Sequence, residues 1–170
     1  DFFNVYIAGC KNTVLPAPSE YCIFGASTTE SMFTTPEYIR PAIGISCGDL
    51  NGIGLELIIK IVTNAKILDL CTPILFTSGK AINFYRKSMP ENNFNVQSIK
   101  DFSRINPKLV NIYSCWEEDV AITPGQLTEE GGKYAVLSLT TAVQALKDGH
   151  IQGLVTAPIN KKNTQSDTFP

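Results

Sequence analysis

Asp49 lies in a run of small residues, Gly48-Asp49-Leu50-Asn51-Gly52-Ile53-Gly54, between an apolar stretch and a helical pattern. Loops of this kind, joining a strand to a helix, are where α/β enzymes place ligands. Their glycines let the backbone turn sharply and let a ligand approach it. Gly48, Gly52 and Gly54 are spaced G-x-x-x-G-x-G. That spacing excludes both the G-x-x-x-x-G-K-[ST] phosphate loop and the G-x-G-x-x-G dinucleotide fingerprint. A carboxylate in the loop repels a bare phosphate unless a cation intervenes, so a hydroxyl, an ammonium group or a metal-bound water suits Asp49 better. The alternative is local: Asp49 or Asn51 caps the following helix or holds the turn.

A second candidate stretch is Thr156-Ala157-Pro158-Ile159-Asn160-Lys161, at the end of another apolar run. In an open α/β sheet, loops leaving the carboxyl ends of neighbouring strands meet in one crevice. Lys161 in the first turn of a helix opposes the helix dipole. A nearby anion compensates, either a carboxylate such as Asp49 or a substrate phosphate or carboxylate; the alternative is an ordinary surface lysine. His150, the single histidine, follows Gly149 at a helix end and reads as a C-terminal charge partner. With one histidine, neither a His-rich metal site nor a Ser-His-Asp triad can be completed within this chain. Glu117-Glu118-Asp119 reads as a solvated turn; a metal site is the sharper reading, but three adjacent carboxylates cannot all face one ion.

The elements that must position these residues follow from periodicity. Residues 42–47 form a buried strand, and 53–64 a helix with Ile53, Leu57, Ile58, Ile61 and Val62 as its core-facing stripe. Strands follow at 73–77 and 109–114 and a short one at 94–99, with a helix at 79–88 that offers Ile82, Phe84 and Tyr85 for packing. Residues 115–128 form a loop. A long helix spans 129–148, with Val136, Leu139, Val143 and Leu146 in its stripe and Gly149 as its stop. Gly131-Gly132 near its start is costly in a helix, so either the start falls later or another backbone passes close by. Residues 153–156 form a strand, and Ala157-Pro158 opens a new helix with proline in the first turn. Alternation of strands and helices predicts an α/β fold: an open, mostly parallel sheet flanked by helices.

The totals narrow the function classes. A chain of 170 residues, 44% hydrophobic and 18% charged, has the apolar material for a core. A net charge of −2 gives no electrostatic footprint for nucleic acid. No stretch approaches the roughly 20 apolar residues of a membrane span. Five scattered cysteines without a C-x-x-C pair predict reduced thiols and a cytoplasmic setting, with Cys47 a small buried core residue. Residues 1–40 mix Pro16, Pro18 and Pro36 with Ser/Thr-rich runs and show no sustained periodicity. They read as an irregular extension, of which residues 1–31 are either disordered or an upstream translation artefact, with a native start expected near Met32; 41–170 is then the α/β unit.

Three motifs resemble one family. Gly44-Ile45-Ser46-Cys47-Gly48-Asp49-Leu50-Asn51-Gly52-Ile53-Gly54-Leu55-Glu56 resembles the amino-terminal signature of the 4-hydroxythreonine-4-phosphate dehydrogenases of pyridoxal phosphate biosynthesis, with Leu50 and Asn51 in place of the usual Pro-Ala. Thr123-Pro124-Gly125-Gln126-Leu127 with Gly132-Lys133-Tyr134-Ala135 resembles the family's T-x-G and G-x-Y/A segment. Leu154-Val155-Thr156-Ala157-Pro158-Ile159-Asn160-Lys161 resembles its L-V-T-x-P-x-x-K segment. The resemblance runs from Pro41 to Pro170 and implies a fold like isocitrate and isopropylmalate dehydrogenases, in a cytoplasmic homodimer whose subunits complete each site. It implies NAD-dependent oxidation of 4-phosphooxy-L-threonine, loss of CO2 to give an amino-ketone phosphate, and a divalent metal (Zn, Mg or Co) that polarises the alcohol. The family's T-G-H-T-E segment and its metal-binding histidines are absent from the 170 residues. The chain is therefore expected to be an amino-terminal fragment, incomplete at its C-terminus and inactive alone, with no metal site and no proper cofactor site. Asp49, Asn51, Gly52, Thr156 and Lys161 are the substrate-cleft candidates, with Asp49 and Lys161 positioning polar groups of the substrate; no catalytic residue is assigned. Two other readings remain: a non-catalytic α/β module binding a small phosphorylated metabolite, and a phosphate-handling transferase that needs no nicotinamide.

Overall fold

The computed structural model describes residues 4–7, 40–90 and 94–165. Six strands form one sheet: β1 (Asn4–Ile7), β2 (Ala42–Ser46), β3 (Thr72–Thr77), β4 (Val96–Ile99), β5 (Val110–Ser114) and β6 (Gly153–Thr156). Their spatial order is β1-β6-β2-β3-β5-β4. The five strands from β2 to β6 are mutually parallel, and β1 pairs antiparallel with β6. The expected α/β class with a mostly parallel sheet is what is observed. The expected irregular extension over 1–40 and start near Met32 lie outside the described residues, apart from Arg40 and the backbone of Asn4–Ile7.

Chain order and spatial order diverge at β2. The next strand in sequence, β3, lies on one side of it and β6 on the other. Ser46 and Thr156, the last residues of β2 and β6, are register partners. The loops leaving them therefore start side by side at a topological switch point, the usual ligand position in open α/β sheets.

Five helices complete the described fold: α1 (Gly54–Thr63), α2 (Lys66–Leu70), α3 (Gly79–Ser88), α4 (Glu129–Lys147) and α5 (Lys161–Thr164). Alternate residues of β3 serve two cores. Leu75 packs with Leu55, Ile58, Ile59 and Val62 of α1 and with Ile82 and Tyr85 of α3. Ile74 and Phe76 pack on the opposite face with Ala142 and Ala145 of α4. A strand covered on both faces carries an unbroken buried run, which is why Thr72–Thr77 shows no polar alternation.

Three expectations need correction. The period of α1 is helical, but its buried face is Leu55, Ile58, Ile59 and Val62; Ile53 and Ile61 are 52% and 42% exposed. Ile53 lies in the loop before the first turn, so a stripe counted from it is rotated off the face that meets the sheet. Phe84 also faces outward, 40% exposed and edge-on to Tyr85. The helix expected at Ala157-Pro158 begins instead at Lys161, capped by the Asn160 side chain, which accepts from Lys162 N–H. The Pro158 carbonyl is committed elsewhere, to Asp49 N–H at 3.0 Å.

The long helix α4 starts at Glu129 despite Gly131-Gly132, because Thr128 Oγ1 caps Gly131 N–H at 3.1 Å. Small residues, Ala135, Ser138, Ala142 and Ala145, line its most buried face, with Leu139, Val143 and Leu146 flanking them. The fully buried Ser138 joins the helix to the sheet. Its hydroxyl donates to Phe76 O at 2.6 Å and accepts Cys47 N–H at 3.0 Å. The chain leaves α4 at Gly149, with His150 N–H bonded back to Ala145 O. Ser138→Ala removes the only side-chain partner of a buried N–H at the root of the glycine loop. It should lower the unfolding free energy by about 1–3 kcal/mol, read in urea as a lower midpoint with an unchanged slope.

Candidate functional site

The glycine loop is folded around a buried carboxylate. Asp49 is 6% exposed. Its Oδ1 accepts Asn51 N–H at 3.0 Å, and its Oδ2 accepts from Asn163 Nδ2 at 3.1 Å. Asn51, 4% exposed, faces the other way. Its Oδ1 accepts Thr123 N–H at 2.8 Å, its Nδ2 donates to Thr128 Oγ1 at 2.7 Å, and its carbonyl accepts Gly125 N–H at 2.7 Å. Asn163 Nδ2 also donates to Thr128 O at 2.9 Å. One buried polar network thus joins the β2–α1 loop, the loop before α4, and α5. Tyr85 anchors the loop from α3, its hydroxyl donating to Leu50 O at 2.7 Å.

The glycines of the loop serve this assembly. Gly48 has φ +69°, and a Cβ on it would stand 2.3 Å from Pro158 O. The neighbour that comes close to this backbone is the chain's own Ala157-Pro158 segment, where a ligand was expected. The same logic settles Gly131-Gly132. A Cβ on Gly132 would meet Asn163 O at 1.8 Å, and one on Gly131 would meet Asp49 Oδ1 at 2.7 Å. Of the two expected alternatives, the close backbone is the one observed.

The cleft candidates separate into two groups. Asp49 and Asn51 are buried and bonded, with Gly52 half-buried beside them. Thr156 ends β6, half-buried, and Lys161 is exposed at the start of α5. Ion pairs among the described residues are Lys80–Asp119 at 2.7 Å and Lys100–Glu117; Lys161 enters neither. Asp49 is therefore held by Asn163, not by Lys161 as one expectation had it: an amide side chain of α5 reaches inward while the lysine points out. Thr128 and Asn163 were missed in the sequence. A threonine before Glu129-Glu130 is a helix-start signal that could have marked Thr128. Nothing local marks Asn163, whose partner lies 114 residues away.

Hollows among the described residues include one that the network reaches and one apart from it. One, of about 420 Å3, opens between the first turns of α4 and α5 and is lined by Glu129, Lys133, Val136, Asn163 and Gln165. Another, of about 160 Å3, lies at the start of α3 among Ser78, Lys80, Trp116 and Asp119. None of the five cleft candidates lines either one.

Among the described residues no three His, Cys, Asp or Glu side chains are placed to share a metal ion. Both oxygens of Asp49 are already occupied by N–H donors. Glu117 and Asp119 are tied to lysines in the exposed turn, and the hydrogen bond from Lys100 holds the Glu117 carboxyl below its usual range. His150 stacks on Phe102 with ring centroids 4.4 Å apart. The described residues therefore do not fit a divalent metal.

Cys47 is fully buried, as expected, and burial pushes its thiol up to about 11. Burial likewise pushes Cys115 to about 12, and burial followed by the negative charges of Glu56 and Asp49 takes Tyr85 to about 12. These thiols are packing groups with no nucleophilic role at neutral pH.

Residues 69–170 match the profile of the family described as pyridoxal phosphate biosynthetic protein PdxA. The chain belongs to this family. A 4-hydroxythreonine-4-phosphate dehydrogenase from Bacteroides thetaiotaomicron is 34% identical over 128 residues, covering 75% of this chain and 35% of that relative. A Campylobacter fetus protein of the same name is 29% identical, over 76% of this chain and 37% of its own length. The crystal structure of a 4-hydroxythreonine-4-phosphate dehydrogenase from Burkholderia phymatum superposes with a TM-score of 0.62 at 25% identity, over 73% of this chain and 38% of that one. The chain thus spans little more than a third of these PdxA relatives.

Two outcomes are expected. Asn51→Ala leaves Thr123 N–H without its acceptor and takes one of two donors from Thr128 Oγ1, which keeps Gly131 N–H, and should cost about 1–3 kcal/mol; limited proteolysis should then cut faster within 115–128. The raised acids set the alkaline limit. Their contribution to stability is full below pH 9, the ordinary thiol value, and falls as pH rises from 9 through about 11, because the unfolded chain releases these protons first. Urea midpoints measured between pH 8 and pH 11 should decline along that window.

Proposed function

We propose that this PdxA-family chain acts as part of a longer 4-hydroxythreonine-4-phosphate dehydrogenase. That enzyme oxidises the secondary alcohol of 4-phosphooxy-L-threonine with NAD, and the resulting keto acid loses CO2 to give an amino-ketone phosphate. The carrying observation is that two of the family's motifs, in the glycine loop and in Thr156–Lys161, meet at the switch point where Ser46 and Thr156 stand in register. Family membership and the names of the relatives support the reading.

The proposal gives the described residues distinct tasks. Lys161, exposed at the crevice and outside the ion pairs of the described residues, meets the phosphate or carboxylate of the substrate. Thr156 and Gly52 line the approach. Asp49 and Asn51 hold the loop in shape, since their polar atoms are already bonded. NAD, when bound to the complete enzyme, would supply the hydride acceptor, and none of the described residues is assigned to hold it. A divalent metal, Zn, Mg or Co, belongs to the complete enzyme, with ligands outside the described residues. The complete enzyme is proposed to be a cytoplasmic homodimer, and this chain alone to be inactive. No helix among the described residues is long and apolar enough to cross a membrane.

One observation favours keeping a second reading, a non-catalytic module for a small phosphorylated metabolite: the two polar residues of the signature loop spend their hydrogen bonds on the fold. A Clostridium botulinum relative, 29% identical, carries D-threonate 4-phosphate in its name, so the group at C2 is also open. The deciding experiment expresses the complete open reading frame and follows NADH formation with 4-phosphooxy-L-threonine and, separately, D-threonate 4-phosphate, with each divalent metal. NADH and CO2 from the first substrate are expected. No NADH from either, with phosphorylated ligand still bound, replaces the dehydrogenase by the binding module. Lys161→Ala should raise KM about tenfold or more through loss of a charge-assisted contact.

A further inference from the structure

We propose that Asn163 is a positioning residue: its amide fixes where the Lys161–Lys162 turn stands against the glycine loop, and so sets affinity for the anionic end of the substrate. This rests on the reading above in which Lys161 meets a phosphate or carboxylate.

Three observations carry it. Asn163 Nδ2 donates both to Asp49 Oδ2 at 3.1 Å and to Thr128 O at 2.9 Å, so one side chain ties α5 to the β2–α1 loop and to the cap of α4. Its Oδ1 is buried and has no hydrogen-bond partner among the described residues. An apolar side chain would fill the space without that cost, so the amide is there for its two N–H bonds. The backbone is seated as well, since Asn163 O occupies the place a Cβ on Gly132 would take, at 1.8 Å.

The helix so held is one turn of four residues. A helix that short does not keep its place unaided. Lys161 and Lys162 are exposed and enter no ion pair among the described residues, so the placement of this turn governs the region their ammonium groups can reach. Loosening the amide tie lets both wander while the rest of the sheet stays folded.

The test uses protein expressed from the complete open reading frame. Asn163→Ala should raise KM for 4-phosphooxy-L-threonine about tenfold and leave kcat within about threefold. Gly132→Ala, which pushes α5 off α4 by crowding the Asn163 carbonyl and its side-chain amide carbon, should raise KM similarly, and the double variant should show less than the product of the two effects. Ile112→Val, in the buried core away from α5, should lower Tm without moving KM, which separates positioning from lost stability. In the 170-residue chain, amide exchange over 162–165 should accelerate in Asn163→Ala, a readout that needs no turnover. An active wild type whose KM is unmoved by Asn163→Ala, or moved equally by Ile112→Val, overturns the inference and leaves the dehydrogenase reading standing. An inactive wild type removes the dehydrogenase reading and with it the role of Lys161. Unchanged exchange over 162–165 overturns the amide tie itself.

Discussion

The buried carboxylate of Asp49 is the constraint on which the rest of this site depends. A charged group at 6% exposure persists only when its oxygens are hydrogen-bonded. Here the donors come from opposite ends of the sequence, Asn51 N–H two residues on and Asn163 Nδ2 in α5. The same amide reaches Thr128 O, and Thr128 in turn receives Asn51 Nδ2 and caps α4. Each member satisfies another, so removing one strands a buried partner. Such a network holds two loops and α5 in one arrangement more firmly than apolar contact alone, because apolar contact is non-directional.

Close packing of backbones complements the network. Ala157-Pro158 lies in the space left by Gly48, and Asn163 O lies in the space left by Gly132. Further along α4, Ser138 and the alanines let that helix approach β2 and β3. Small residues therefore recur wherever the crevice is built. Their common purpose is to bring two loops and two helix ends together at the switch point between β2 and β6.

That arrangement bears on what the PdxA-family signature does. Its polar residues Asp49 and Asn51 work as scaffold, and the groups left facing outward are Lys161, Lys162 and the half-buried Thr156. The chain spans little more than a third of the relatives it matches.

The sequence by itself determined the α/β class, the order of the main strands and helices, and the family. Those follow from local periodicity and from contiguous motifs, which are written along the chain. It also named both loops of the crevice, since each follows a buried strand. The phase of the α1 stripe escaped it, because Ile53 and Leu55 are equally apolar and only contact with the sheet says which one turns inward. Asn163 escaped it for a deeper reason: an asparagine among lysines carries no sign that a carboxylate 114 residues earlier needs its amide. Tertiary structure alone decided that the loop glycines make room for the chain itself and that Asp49 is bound by an amide, because a close approach between distant segments exists only once both have folded onto the same sheet.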